Sequence, residues 1–350
     1  MDTSQVGDAP AGWTTPAGGG LRLITDDQHD AHGRLIQELV PWHTIDINGV
    51  ATPVRTARWT VYHDAAHEVW TAQGYATGSA PNYTFTLAGP VSITRSDHNG
   101  NVLEQIRAVR AGTAGKLQPT DSFPQSSYVR WTTYQYTDCC RLSSTRVYHT
   151  IPASGEGTAG THYDQTDFGY DSTKQRNRSV SPGGTITFQV FDVHGHVIAT
   201  YVGTDDSGAT ETDPTGGGAD PNNNMVLVTS YQYDNGQAGG DGNLTEQTQH
   251  VSDSETRVTA FVYDWRNRRT ATDGEIDFYE QLTYDNLNRV IQTERYDTTA
   301  QGNLIARSDT LYDDRGRVYQ TIRYAVDPAT GDVGNALVDN TWYDAAGNIV

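Results

Sequence analysis

Acidic and imidazole side chains carry most of the chemical potential of this chain, and their spacing decides what chemistry that could be. Asp26-Asp27 with Asp30, Asp205-Asp206, and Asp234 with Asp241 could gather oxygen ligands around calcium if their loops folded back. None has the twelve-residue spacing of an EF-hand or a glycine-rich nonapeptide series, so no cofactor is expected, with calcium as the alternative. His29, His32, His63, His67, His98, His194 and His196 sit in or beside Asp-containing turns, where turn chemistry accounts for them and no metal site is expected. HExxH, Gly-x-Ser-x-Gly and phosphate-loop spacings are absent. A glycan hydrolase would need two carboxylates converging at roughly 5–10 Å in a cleft, which a sequence does not display. The expectation is a protein that is not an enzyme.

Two further chemistries are modest. Cys139 and Cys140 are adjacent and cannot staple distant parts of the chain, which leaves a vicinal disulfide, free thiols or a link between chains open. The sequons at Asn82, Asn177 and Asn243 could accept glycans in a host that performs the reaction, although such tripeptides arise by chance in a chain rich in Thr and Asn.

Which elements would position these groups? Only 19% of the 350 residues are charged, while Gly contributes 35 and Tyr 20, a balance that suits strands joined by turns. A net charge of −19 argues against nucleic acid, whose phosphates require clustered Lys and Arg. No apolar run reaches the roughly 18 residues of a membrane helix, so membrane insertion is not expected. Met1-Asp2-Thr3-Ser4-Gln5 lacks the basic-then-apolar order of a signal peptide. Residues 1–20 are small and polar, ending in Gly18-Gly19-Gly20, and read as a flexible leader before an ordered array over residues 21–350.

That array is visible as a recurrence. Tyr284-Asp285-Asn286-Leu287-Asn288-Arg289-Val290-Ile291 returns 28 residues later as Tyr312-Asp313-Asp314-Arg315-Gly316-Arg317-Val318-Tyr319. With the Asp as marker, copies fall at Asp30, Asp64, Asp97, Asp138, Asp171, Asp192, Asp234, Asp264, Asp285, Asp313 and Asp344, spaced by 21 to 42 residues. Three residues after the Asp stand Gly33, His67, Gly100, Gly195, Asn267, Asn288, Gly316 and Gly347, residue types that enter the left-handed region at low or reduced cost. The Asp carboxylate is placed to accept amides of the turn it opens. Alternation on either side, as in Val290 to Tyr296, predicts strands with two distinct faces, so each copy is a hairpin. The preceding aromatic, Tyr170, Tyr233, Tyr263, Tyr284, Tyr312, Tyr343 or Phe191, is expected to stack with its counterparts in a ring ladder. Gly203 to Asn224 and Asn235 to Asn243 read as loops between hairpins.

These motifs resemble the YD-repeat, or RHS-repeat, proteins of bacteria, to which the extracellular part of the teneurins is related. The best matches are Tyr284-Asp285 to Ile291, Tyr312-Asp313 to Tyr319, Tyr343-Asp344 to Val350 and Phe191-Asp192 to Ile198, and the resemblance covers about residues 21–350. It implies an all-β spiral of antiparallel hairpins, cocoon-like in larger members, extracellular or on the cell surface. It also implies a scaffold for glycans or surface proteins or, alternatively, the wall of a shell around a toxin domain. The self-processing core that follows the repeats in such proteins is not present here, and Asp327-Pro328 falls in a loop between hairpins. Eleven hairpins at roughly 4.8 Å per strand give a path of only about 105 Å, one turn of a wide spiral. The sequence reads as an excerpt of a longer repeat protein. The alternative is a homo-polymer in which the open edges near Leu21 and Val350 pair head to tail.

Overall fold

The computed structural model describes residues 25–138, 140–237, 239–252, 254–275 and 278–350. The expected leader over residues 1–20, the edge segment at Leu21 and the thiol of Cys139 lie outside the described residues. Among those described the fold is all-β: 21 antiparallel strands in an open sheet, with 3-10 turns of three residues as its helical elements. Nearly every strand pairs with its neighbours in sequence, so the sheet is a chain of hairpins.

The strands divide between two compact units, one over residues 1–169 with 180–183 and the other over residues 170–179 with 184–350. In the first unit the strands Leu35–Ile47, Val50–His63, Glu68–Ser79 and Asn82–Ser96 are long, at 12 to 15 residues. Asn48 and Gly49, with φ of 54° and 81°, make the tight reversal between the first two. Period-two placement turns Ala57, Trp59 and Val61, then Trp70, Ala72 and Ala76, then Val91 and Ile93 to one buried face. Burying the larger of these, such as Val61, Val91 and Ile93, contributes roughly 1.5–3 kcal/mol each.

That face needs a cover, which the connection after Val102–Ala108 supplies. Leu117 and Phe123 of this connection join the core, and Phe123 meets the Trp70 ring edge-on at 5.0 Å. Arg110 holds the connection in shape, donating to the carbonyls of Gly112, Ala114, Gly115 and Lys116 at 2.7–3.0 Å and to Asp121 at 3.3 Å. The connection is also joined to the strand beneath, since Leu87 N donates to Thr113 and Gly115 N to Phe85.

The second unit is built differently. Its strands run 5 to 9 residues, and of them Ile186–Phe191 shows clean alternation, with Ile186, Phe188 and Val190 buried. Val290–Tyr296, expected to have two distinct faces, is half-buried along its length except at Arg295. The reason is that polar side chains shelter one another across strands: Gln292 and Tyr324 both donate to Asp309, at 3.1 and 2.9 Å, and Arg307 pairs with the same carboxylate.

Two details of the array also differ from expectation. The copy marked at Asp138 opens one residue earlier: Thr137 N donates to Arg141 O, Cys140 N to Thr137 O, and Cys140 takes the left-handed position with φ 63°. Thr137 Oγ1 replaces the carboxylate by accepting from Arg141 N, so the hydroxyl rather than the following Asp caps this turn. Residues 235–243 are not a loop between hairpins but an enlarged turn inside one, joining Val226–Tyr233 to Leu244–Ser252.

Replacing Arg110 by Ala leaves several carbonyls without their donor, and a loss of about 1–3 kcal/mol is expected on the cost of unmet hydrogen bonds. Urea unfolding measures it, and hydrogen exchange should accelerate first between residues 109 and 127.

Candidate functional site

The side chains that recur in the sequence meet along the motif turns. In the turns at Asp30, Asp97, Asp171, Asp192, Asp264, Asp285, Asp313 and Asp344 the Asp amide donates to the carbonyl four residues on, and the amide three residues on returns to the Asp carbonyl, as in Asp285 with Arg289 and Asn288. In these turns the residue three after the Asp has positive φ: 77° at Gly33, 87° at Gly195, 79° at Gly316 and 94° at Gly347, with Asn at 267 and 288, whereas Gln237, three after Asp234, is extended at −82°. Five residues between paired strand ends force a register shift beside each turn, seen at Tyr263, Tyr284 and Tyr312.

The carboxylate divides its two oxygens between two tasks. Oδ1 accepts the amides of the second and fourth following residues: His32 and Arg34 on Asp30, His194 and His196 on Asp192, Arg266 and Arg268 on Asp264, Leu287 and Arg289 on Asp285, Arg315 and Arg317 on Asp313. Oδ2 accepts the side chain of the fourth residue, through Nε of Arg34, Arg268, Arg289 and Arg317 at 2.6–2.8 Å. Asn101 and Asn348 make the same bond through an amide, on Asp97 and Asp344. These bonds to the ionised form hold the carboxyls of Asp285 and Asp313 below their ordinary range, the amides of Arg289 and Arg317 being the leading cause. For Asp264 and Asp344 the side chains of Arg268 and Asn348 lead.

The fourth residue then reaches the next copy. Arg268 lies over the Tyr284 ring at 4.7 Å, Arg289 over Tyr312 at 4.5 Å and Arg317 over Tyr343 at 4.4 Å. In return Tyr284, Tyr312 and Tyr343 donate their hydroxyls to the carbonyls of Arg269, Val290 and Val318, at 2.8, 3.0 and 2.8 Å, and Tyr136 and Tyr233 do the same to Val102 and Val197. The expected ladder of stacked tyrosines is therefore a ladder of alternating guanidinium and phenol. One hairpin advances two strands, roughly 9.6 Å, which exceeds the contact range of two aromatic rings but admits a guanidinium between them.

The motif arginines are not among the residues that the spacing argument assigns a role. Their signal was present in the recurrence of Arg34, Arg268, Arg289 and Arg317 at one offset. Tyr263 closes its strand immediately before the Asp264 turn. Of the sequon residues, Asn82 is exposed at the start of a strand, Asn177 is 5% exposed, and Asn243 is half-buried with its Nδ2 donating to Asn267.

Chemically the turns are fasteners. A carboxyl whose proton affinity is lowered is a poor general acid at neutral pH, the opposite of what hydrolysis asks of one. The Asp192 turn differs in having His196 on Oδ2 at 3.0 Å, with its ring stacked on Tyr233 at 4.5 Å.

Two outcomes follow. Gly316→Val should cost about 1–3 kcal/mol because its φ of 79° is strained for a β-branched residue, whereas Gly316→Asn should be nearly neutral, as Asn267 and Asn288 already hold this conformation. A Cβ there meets only Arg289 at 3.7 Å, so the difference isolates the backbone. The carboxyls of Asp264, Asp285 and Asp313 are depressed in the folded state, so their contribution is complete above the ordinary value of 3.8 and is lost as pH falls through the lower folded values. The melting temperature should therefore drop below about pH 4, and a flat profile from pH 7 to 3 would contradict the fastening role.

No family model matches the chain, and no curated protein matches it. Among solved structures it is similar to TcdB2-TccC3 and to TcdB2-TccC3-Cdc42, each at 14% identity and TM-score 0.45, covering 96% of this chain and 18% of the other. It is also similar to a chain of the Photorhabdus luminescens Tc holotoxin pore, at 12% identity and TM-score 0.43, covering 93% of this chain and 18% of that one. The chain thus spans less than a fifth of the length of these structural neighbours.

Proposed function

We propose that the chain is a non-catalytic scaffold, a wall segment of a YD-repeat shell working outside the cell that makes it, with protein cargo or protein neighbours as its partners. The observation that carries this reading is the fastening of consecutive hairpins from Asp264 to Tyr343, where each motif Arg is shared between its own Asp and the next Tyr. Such a sheet resists splaying without a second layer, which is the mechanical demand on a wall. The motif residues are consumed by that fastening, and sugar binding is no part of the reading.

The test is the reading frame around this segment. Further Tyr-Asp motifs in phase, followed by a self-processing core and a variable domain, are expected; a surface-anchoring domain in their place would return the adhesion reading. On a glycan array the purified chain is expected to bind no sugar at millimolar concentration, and specific binding would replace the wall with a lectin.

A further inference from the structure

The turn at Asp192 repeats the fastening geometry with different chemistry. Where Arg34, Arg268, Arg289 and Arg317 put a permanent cation on the Asp Oδ2, this turn has His196, and the exposed position two after the Asp is a second imidazole, His194. His196 Nδ1 lies 3.0 Å and His194 Nδ1 3.9 Å from Asp192 Oδ2, and the three ligand atoms all fall within 4.8 Å of one another. Among the described residues this is the one group of three such side chains with that convergence. We propose that Asp192, His194 and His196 bind a divalent transition ion of the zinc class, which would take the place of the hydrogen bond between His196 and Asp192.

The donor set is two imidazole nitrogens and one carboxylate oxygen, which selects borderline ions over calcium and magnesium. Bonds of about 2.0–2.1 Å in a tetrahedron put ligand atoms about 3.3 Å apart. Asp192 and His196 already meet that separation. His194 must come closer, and its side chain is 66% exposed, so it can turn without disturbing packed neighbours. The other two ligands are held: Oδ1 of Asp192 is fixed by the amides of His194 and His196, which aims Oδ2, and His196 is fixed by its stacking on Tyr233.

Asp192, His194 and His196 line a surface cleft of about 540 Å³ together with Gly236, Gly239, Gly240 and Gly242 of the enlarged turn after Tyr233, which leaves room for a fourth ligand. A water or a small anionic ligand fits there. When the ion binds, His196 adopts the tautomer protonated at Nε2, so its Nδ1 lone pair faces the metal.

The competing account is that the His196–Asp192 hydrogen bond is all this turn uses, as Asn101 and Asn348 do in theirs. Tag-free protein titrated with zinc chloride by isothermal calorimetry near pH 7.5 separates the two. One ion per chain with micromolar affinity is expected. His194→Ala should weaken binding by at least about tenfold. His196→Arg, which installs the residue the other turns carry, should abolish binding while keeping the thermal midpoint at or above that of the parent, so loss of the fold cannot explain the result. No zinc bound up to roughly 100 µM, or zinc binding that survives both substitutions, overturns the site. Calcium chloride should give no heat, and calcium binding that His194→Ala removes would overturn the assignment to the zinc class.

Discussion

The distance between equivalent points on successive hairpins is the constraint on which the repeat architecture rests. At two strands per copy it is too long for one tyrosine to touch the next, so a ladder of rings alone would leave gaps on a half-exposed surface. A guanidinium closes the gap only if something holds its near end, and the Asp at the head of the turn does so with Oδ2 while Oδ1 shapes the turn itself. Turn formation and hairpin cohesion thus depend on one carboxylate. The left-handed residue between Asp and Arg matters for the same reason, since it sets the direction in which the Arg leaves the turn.

The two units show what this device replaces. The first has tryptophans at 59, 70 and 131, long strands, and a connection folded over one face, so apolar burial supplies its cohesion. The second has few fully buried side chains, and its cohesion comes from the ladder together with cross-strand polar groups such as those around Asp309. Where the core is rich the motif has degenerated to His63-Asp64, whose carboxylate receives Arg34 of the preceding copy in place of a side chain of its own turn. Packing has there taken over the work that the motif does elsewhere.

Much of this was legible in the chain. The hairpins, the all-β class and the positive-φ positions follow from period-two patterning and from Gly or Asn at a fixed offset, both of which are local. Local signals mislead where function passes between copies. Tyr136-Thr137-Asp138 offers an Asp, yet the turn opens at Thr137, whose hydroxyl accepts from Arg141 N, and no count of carboxylates reveals that. The alternation from Val290 to Tyr296 suggests two distinct faces, but partners on the next strand shelter Gln292 and Glu294, so the faces are not distinguished by exposure. The arrangement of Arg between Tyr and Asp was in the sequence as a recurring residue, and it was missed because its partner belongs to the following copy.

The variation at the fourth position then becomes interpretable. Arg, His and Asn differ in charge and reach but share a donor for the Asp above them; Glu68, which has none, is the position where the preceding copy intervenes. The short amides of Asn101 and Asn348 satisfy their own turn and stop there. The Asp beside them keeps its negative charge uncompensated, whereas beside an Arg it is neutralised. Part of the net charge of −19 therefore sits on carboxylates already engaged in turns, and acidity in this chain is a poor guide to free ligand sites. A site has to be sought where the residue at the fourth position can itself serve as a ligand and a second ligand stands beside it, a condition that the Asp192 turn meets through His196 and His194.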